Sequence, residues 1–335
     1  MKRIVSGITA TGNLHIGNYI GAIQYLLKEQ DKNNELFVFV ADLHGLTIPI
    51  DPKLINQNTK EIIKLYLACG LDPKKVKLFV QSEIKEHTEL FYLLSTLTNI
   101  GQLERMTQYK DKMIKQKNKT NVIPTGILIY PILMVADILL YNPDSVIVGQ
   151  DQKQHIELTK LLAQKLNNNY DLKFKIPEAQ IVKKEGGSKI MALRNPEGKM
   201  SKSDNEKNNT IFLLDSLEDI NKKITTALTD SENKIKYDPI KKPGISNLIT
   251  IYSAFSNLSI KEIEDKFKDS NYKNFKEEIS NVIINRLKII QSNFSKLTDK
   301  DIKEALKLNR DEIKKIAANS VNKVKKNMGL LNYVN

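Results

Sequence analysis

The chain has 335 residues, 41% hydrophobic and 27% charged, which is typical of a globular protein and long enough for about two domains. The longest apolar run, residues 127–141, contains Pro131 and Asp137 and is too short for a membrane span of about 20 residues; no signal-peptide pattern follows Met1, so we expect a cytoplasmic protein that does not bind membranes. Cys69 is the only cysteine, which excludes disulfides within the chain, and the net charge of +13 fits either a polyanionic partner or a lysine-rich composition.

Strands alternate with helices over the first two thirds of the chain. A short strand at residues 2–5 precedes a helix that carries Ile16, Ile20 and Ile23 on one face. The continuous apolar run at residues 36–41 is typical of a strand buried on both faces of a parallel sheet. Further strands are predicted at 76–80 and 145–148, and helices at 51–70, 90–97, 128–140 and 154–166. This alternation predicts an α/β fold with a doubly wound parallel sheet.

The pattern changes to helices alone after about residue 205. Ser216 and Ser259 each begin a helix, with an acidic residue three positions later, as in a capping box. Further helices are predicted at 281–294 and 312–328, the last ended by Gly329. We therefore expect a second, all-helical domain over residues 206–335. The lysine-rich segment 110–119 has no apolar periodicity and is interpreted as a mobile basic loop.

A glycine-containing segment, residues 11–18, lies between the first strand and the first helix. Open α/β sheets bind ligands at this edge. Gly12 and Gly17 would let a base and phosphates approach the backbone, and the helix that opens near Ile16 would direct N–H groups at the phosphates. His15 and Asn18 add side-chain donors. An ordinary turn remains an alternative for this segment taken alone.

Residues 199–203 read Lys-Met-Ser-Lys-Ser. Two ammonium groups three residues apart, with hydroxyls between them, suit a polyphosphate and the charge that develops on a leaving pyrophosphate. Gly198 would allow such a loop to move. The alternative is a solvated lysine loop in a lysine-rich chain. Neither a P-loop nor a Gly-x-Gly-x-x-Gly motif after a strand occurs in the sequence.

Residues 149–158 form a third polar segment, which follows the fourth strand. Asp151 could accept hydrogen bonds from a ribose or an ammonium group, and Gln152 could reach a substrate amine or carboxylate. Both could instead be capping or solvated residues of a helix start.

Asp137 is the most informative single residue, because its surroundings in residues 130–141 are nearly all apolar. A carboxylate there is costly unless it is paired. It could accept a hydrogen bond from a buried substrate donor, or it could bond to backbone or to a lysine.

The first two segments at this separation resemble the class I aminoacyl-tRNA synthetases, in which a HIGH motif follows the first strand of a Rossmann fold and a KMSKS motif lies after its last strand. Here the first reads His15-Ile16-Gly17-Asn18, with asparagine in the last place, and the second matches in full. Matches to the tryptophanyl branch extend from residue 4 to about 255. They include residues 6–7, 17–22, 103–110, 130–131, 136–141, 149–158 and 243–248.

The resemblance implies a Rossmann-type catalytic domain at 1–205 and a tRNA (anticodon)-binding helical domain at 206–335. It implies that ATP activates L-tryptophan, that tRNA(Trp) accepts it, and that Mg²⁺ accompanies the ATP phosphates without a protein-ligated metal. It also implies a homodimer formed through helices near 85–140. The rival interpretations are a tyrosyl-tRNA synthetase and a non-catalytic, synthetase-like RNA-binding protein.

Site residues follow from the same resemblance. The expected catalytic residues are His15, Asn18, Lys199, Lys202, Ser203 and Lys112, of which Lys112 would reach the ATP phosphates. The expected ATP-binding residues are Thr9, Ala10, Thr11, Gly17, Asn18, Gly149, Gln150, Asp151, Ile190, Lys199, Met200, Ser201, Lys202 and Ser203. The expected tryptophan-binding residues are Asp137, Tyr130, Met134, Gln152, His44 and Val5, with Asp137 receiving the indole N–H.

The chain departs from the family pattern at two places. Thr9-Ala10 stands where Gln or Arg and then Pro is common, which puts a side-chain contact from that position in doubt. Gln150 stands where Glu is frequent, which leaves Asp151 as the better acidic candidate.

Overall fold

The computed structural model describes residues 1–47, 49–120, 122–181, 189–202, 204 and 206–330, without the side chains of 115 and 118–120. No helix among these residues is both long enough and apolar enough to cross a membrane.

A parallel sheet of five strands lies at the centre of the molecule, in the order β3-β2-β1-β4-β5. The strands are β1 (Arg3–Thr9), β2 (Glu35–Ala41), β3 (Val76–Val80), β4 (Ser145–Ile147) and β5 (Glu178–Gln180). Ile4 pairs with Leu36 of β2 and with Ser145 of β4, so β1 occupies the middle of the sheet. The predicted doubly wound parallel sheet is confirmed. The short edge strand β5 was not predicted, because it has no apolar run.

Helices make up most of the remaining chain. They are α1 (Ile16–Asn18), α2 (Gln24–Glu29), α3 (Asp42–Gly45), α4 (Pro52–Cys69), α5 (Glu86–Ser95), α6 (Ile100–Glu104), α7 (Thr107–Thr120), α8 (Gly126–Leu139), α9 (Lys153–Tyr170), α10 (Leu217–Thr225), α11 (Pro243–Ser256), α12 (Ile260–Lys266), α13 (Tyr272–Lys296), α14 (Asp299–Lys307) and α15 (Arg310–Asn327). A π-helical segment, Tyr19–Ile23, joins α1 to α2.

The helix ends follow local chemistry that the sequence displays. Asp51 accepts a hydrogen bond from the backbone N–H of Lys53 at the start of α4, and Gly70 ends that helix with a left-handed φ of 108°. Ser259 forms a complete capping box at the start of α12. Gly329 follows α15 with a φ of 82°. These predicted boundaries are confirmed.

The prediction of a mobile basic loop at residues 110–119 was wrong, because these residues belong to α7. Lysine and glutamine are good helix formers and need no apolar stripe when a neighbouring helix supplies contacts. Here α7 packs against α8, and the Nζ of Lys112 lies 3.5 Å from the centre of the Tyr130 ring.

Alternate side chains of the central strands point into two hydrophobic cores, one on each face of the sheet. Leu36 and Val38 lie in one core, which also contains the buried side of α13. Phe37 and Phe39 lie in the other, which also contains the buried side of α15. The C-terminal helices therefore cover both faces of the sheet, and the domain division at residue 205 stays a prediction.

Candidate active site

The segment after β1 forms one wall of a site at the carboxyl edge of the sheet. Thr9 ends the strand, Ala10 is buried, and the N–H of Thr11 bonds to the carbonyl of Thr9 at 2.8 Å. His15 then caps α1. Its Nδ1 accepts from the N–H of Gly17 at 3.1 Å, and its own N–H donates to Oδ1 of Asn18 at 3.1 Å. The segment is thus a fixed cap rather than a loose turn.

His15 is 5% exposed, and burial, together with the charges of Lys202 and Lys199, lowers its pKa to about 3. The ring is therefore neutral at physiological pH. Since Nδ1 accepts a hydrogen bond, the ring proton is on Nε2, and His15 can donate to an anionic oxygen.

The two glycines of this segment are favoured at their positions for different structural reasons. A Cβ on Gly17 would lie 2.8 Å from the His15 ring, so the cap itself needs a glycine there. Gly12 has a φ of 90°, which disfavours a side chain, and its carbonyl accepts from the Nζ of Lys202 at 3.1 Å.

The lysine segment forms one strand of a small hairpin beside this cap. The N–H of Met200 bonds to the carbonyl of Ile190 at 3.0 Å, and both side chains are buried. Past the hairpin, the carbonyl of Ser201 accepts from the hydroxyl of Thr210 at 2.9 Å, and Phe212 forms an antiparallel bridge with His15. The two motifs that the sequence places about 180 residues apart are therefore in direct contact. The predicted site residue Ser203 lies outside the described residues.

The two lysines of the hairpin occupy different environments. Burial lowers the pKa of Lys202 to about 8, although the carboxylate of Glu61 opposes the shift. The side chain of Lys199 is 56% exposed, and its Nζ lies 4.0 Å from Oδ1 of Asp151. Lys202, just past the hairpin, is thus held against the segment after β1 by its bond to the Gly12 carbonyl, while Lys199 is exposed next to Asp151.

The segment after β4 lies opposite the hairpin. A Cβ on Gly149 would lie 2.6 Å from Oδ1 of Asp151, so a side chain at this position would have to displace that carboxylate. Gln152 donates to the other oxygen of Asp151 at 2.9 Å, so both residues belong to one polar cluster. Gln150 is exposed and lines a cavity of about 330 Å³ on the outer side of the hairpin.

Asp137 lies at the centre of a second, deeper cluster. It is 2% exposed, and its Oδ1 accepts from Gln81 Nε2 at 2.7 Å and lies 2.6 Å from Nδ1 of His87. Its Oδ2 lies 2.8 Å from Nε2 of His44. Burial by itself would raise the pKa of Asp137, but the hydrogen bonds from the two histidines lower it to about 2. The partners are therefore histidine and glutamine side chains, neither backbone nor lysine.

Tyr130, Met134 and Asp137 follow one another along one side of α8, as their spacing predicts. The Tyr130 hydroxyl lies 3.2 Å from Nε2 of His155, and the ring of His44 meets the Tyr130 ring edge-on with centroids 6.2 Å apart. Met134 packs against the small core around Val146, next to Val148.

Lys112 and Val5 are placed differently from the other predicted residues. Lys112 covers the Tyr130 ring, and burial lowers its pKa to about 8. Val5 is 1% exposed and belongs to the sheet core with Phe37 and Ala136. The phosphate-binding role predicted for Lys112 stays a prediction, and Val5 occupies an ordinary core position.

Gln81, His87 and Tyr141 were missed by sequence reasoning. Gln81 directly follows β3 at the same edge of the sheet, and that position was a usable signal. His87 and Tyr141 carry no such signal, because their partner is reached only through the packing of α5 on α8.

Among the described residues, no group of three His, Cys, Asp or Glu side chains lies close enough to hold a metal ion.

The comparisons with known proteins agree over nearly the whole chain. The family model described as tRNA synthetases class I (W and Y) matches residues 1–288. A tryptophan--tRNA ligase from Caldanaerobacter subterraneus subsp. tengcongensis is 46% identical over 331 residues, which are 99% of both chains.

Solved structures give the same result. The tryptophanyl-tRNA synthetase of Mycoplasma pneumoniae is 38% identical with a TM-score of 0.92, covering 99% of this chain and 98% of that one. That of Campylobacter jejuni, solved with ADP and tryptophan, is 32% identical with a TM-score of 0.80, covering 98% of this chain and 100% of that one.

Proposed function

The chain belongs to the class I tRNA synthetases of the tryptophan and tyrosine group, and from this we propose that its site activates L-tryptophan with ATP and charges tRNA(Trp). The observation that carries the proposal is the contact between Lys202 Nζ and the Gly12 carbonyl at 3.1 Å, beside the bridge between Phe212 and His15. It brings a cationic hairpin and a neutral histidine donor to one anion-binding space.

The first step forms the adenylate. A carboxylate oxygen of tryptophan attacks the α-phosphorus of ATP, the bond to the bridging oxygen breaks, and pyrophosphate leaves with the electron pair. Nε2 of His15 donates to a phosphate oxygen from one side, while Lys199 and Lys202 bring positive charge to the departing pyrophosphate from the other. Catalysis is then mainly positioning and charge stabilisation.

ATP would contact the wall formed after β1 through backbone groups and through the side-chain amide of Asn18. The residues of this wall are Thr9, Ala10, Thr11, Gly17 and Asn18. The remaining proposed ATP contacts come from Ile190, from residues 199–203 of the sequence and from the segment after β4. Asp151 would accept from the ribose, and Ile190 and Met200 supply buried apolar surface. Mg²⁺ bound to the ATP phosphates would supply further positive charge for the reaction.

The tryptophan side chain is proposed to bind beside α8. Oδ1 of Asp137 already receives Gln81 and His87, so Oδ2, next to His44, is the oxygen with room for the indole N–H. Tyr130, Met134 and Gln152 would complete the pocket, and Lys112 would turn from the Tyr130 ring toward the ATP phosphates. Val5 lies in the sheet core, so it would contribute only to the floor of the pocket.

In the second step, a hydroxyl of the tRNA 3′ end attacks the acyl carbon of the adenylate and AMP leaves. The helices after residue 205 are proposed to bind the anticodon region of the tRNA. We place the reaction in the cytoplasm, where translation uses its product.

A homodimer is the proposed assembly. Tyr92 on α5 and Ile100 on α6 are 66% and 65% exposed, and Leu46, which follows α3, is 60% exposed. A cavity of about 230 Å³ is lined by Leu46, Phe91 of α5 and Tyr130 of α8. Exposed apolar surface of this kind is typical of an interface.

ATP–pyrophosphate exchange with each amino acid tests the proposal. We expect exchange with tryptophan, feeble exchange with phenylalanine or a benzothiophene analogue that lacks the N–H, and charging of tRNA(Trp). A buried polar group left unpaired by such an analogue discriminates strongly. Faster exchange with tyrosine would contradict the tryptophan assignment, and no exchange with any amino acid would favour the non-catalytic alternative.

A further inference from the structure

Asn247 of α11 binds both backbone polar groups of a single residue, Met191. Its Oδ1 accepts from the N–H of Met191 at 2.9 Å, and its Nδ2 donates to the carbonyl of Met191 at 3.0 Å. Asn247 is 5% exposed. The side-chain amide therefore pairs with Met191 as the backbone of a neighbouring β-strand would.

Met191 is also the bridge partner of Lys199. The ladder continues on both sides, with Ala192 N–H to Gly198 carbonyl at 2.8 Å and Met200 N–H to Ile190 carbonyl at 3.0 Å. The strand that carries Lys199 thus pairs with one edge of Met191 while Asn247 occupies the other.

Two residues further along the same strand, the Leu193 N–H donates to the Asn209 carbonyl at 3.1 Å and the Leu193 carbonyl accepts from the Leu228 N–H at 2.8 Å. At Met191 itself, Asn247 supplies the partner of both backbone polar groups.

The cavity of about 330 Å³ lies between the hairpin and α11 and is lined by Gln150, Met191 and Asn247 among others. The side chain of Lys199 is 56% exposed, so its position depends on its backbone rather than on side-chain packing. The amide of Asn247 crosses the open gap.

The helix that carries Asn247 is firmly fixed at its start. A Cβ on Gly244 would collide with the carbonyl of Leu228, so the first turn of α11 lies directly against that backbone. Lys242, just before the helix, pairs with Asp230 at 3.1 Å and with Glu232 at 2.8 Å. The anchor for the hairpin is therefore a rigid element of the C-terminal helices.

We propose that Asn247 is a positioning residue for adenylate formation: it fixes Met191 and thereby sets where Lys199 stands relative to the reacting phosphates. The inference rests on the proposed function. It means that α11, one of the C-terminal helices, helps to set the position of the lysine hairpin.

A double-mutant cycle tests the coupling. Single-turnover adenylate formation would be measured for the wild type, Asn247→Ala, Lys199→Ala and the double variant. We expect Asn247→Ala to slow the reaction about tenfold, with little change in KM for tryptophan, because a misplaced charge acts mainly in the transition state. In the Lys199→Ala background the same change should cost less than about twofold. A tenfold loss in both backgrounds would overturn the inference.

The chain offers a matched control. Asn167 holds Phe174 by the same pair of bonds, at 2.9 Å and 2.7 Å, and Phe174 packs against the core on the other face of the sheet from Ile190 and Met200. Asn167→Ala should leave the rate unchanged. Trypsin cleavage after Lys199 gives a readout that needs no activity: it should be faster in Asn247→Ala and unchanged in Asn167→Ala.

A second variant keeps the inference testable if Asn247→Ala does not fold. Asn247→Asp keeps the acceptor for the Met191 N–H and faces its carbonyl with a carboxylate, so slower adenylate formation and faster cleavage are expected again. If both Asn247 variants unfold, the residue is a general structural support and the inference is wrong. A wild type that does not activate tryptophan would contradict the proposed function instead, and the cleavage comparison would still decide whether Asn247 holds the hairpin.

Discussion

Oδ1 of Asp137 lies 2.6 Å from Nδ1 of His87, and Nε2 of the same ring lies 2.8 Å from the Tyr141 hydroxyl. In the tautomer that carries its proton on Nδ1, His87 donates to the carboxylate and accepts from the Tyr141 hydroxyl at Nε2. This chain fixes the orientation of the carboxylate. It leaves Oδ2, next to His44, as the oxygen to which a substrate N–H can donate.

Tyr141→Phe should weaken that orientation. The change removes the hydroxyl and leaves the buried Nε2 of His87 without its donor, so we expect the free energy of unfolding to fall by about 1–3 kcal/mol. KM for tryptophan should rise while KM for ATP stays the same, which steady-state exchange kinetics would measure. Tyr252→Phe, which removes a hydroxyl bonded to Lys266 on the far helices, should leave KM for tryptophan unchanged. Equal effects of the two variants on tryptophan would contradict the role of Tyr141.

Replacing a lysine of the hairpin should affect the chemical step. Lys199→Ala or Lys202→Ala should lower the rate of adenylate formation by about 10²–10³-fold, the range found when one oriented partner of a developing charge is removed. Tryptophan affinity should change little. Single-turnover kinetics with titrated tryptophan would measure both, and near wild-type rates for the two single variants would refute this role.

Activity should decline at alkaline pH because of Lys202. Its ammonium form is needed, and burial lowers its pKa to about 8, so the charge is present below this pH and lost as the pH rises through it. The pH profile of kcat/KM for ATP, which reports the free enzyme, should therefore fall above about pH 8. Lys202→Arg keeps its charge and should remove this decline. A decline that persists in Lys202→Arg would point to Lys112, whose pKa is also lowered to about 8.

The lysines of α15 are expected to be a solvated face rather than a tRNA contact. Lys325 already pairs with Glu89 of α5 at 2.8 Å. A variant with alanine at all five positions should make adenylate normally and keep the salt dependence of tRNA binding; the positions are Lys314, Lys315, Lys323, Lys325 and Lys326. A salt dependence that flattens by nearly one unit per lost contact would show instead that they bind phosphates.

The local sequence was sufficient wherever neighbours in the chain decide the structure. Asp51-Pro52 and Gly70 defined both ends of α4, and the apolar run of β2 identified a strand buried on both faces. The local sequence did not predict β5, which has no apolar run. It also did not predict α7, which is supported by its contacts with α8 rather than by an apolar stripe.

The sequence by itself determined the parallel α/β fold, the two motifs that we propose bind phosphate and the unusual carboxylate at Asp137, because each depends on residue type and spacing along one segment. Only the tertiary structure decided that the Lys202 ammonium reaches Gly12, that His87 and Gln81 fix Asp137, and that Asn247 holds Met191. Each of these contacts joins residues at least 50 positions apart. Such a hydrogen bond tolerates only a few tenths of an ångström in the distance between donor and acceptor. That distance is set only when the separate elements pack together.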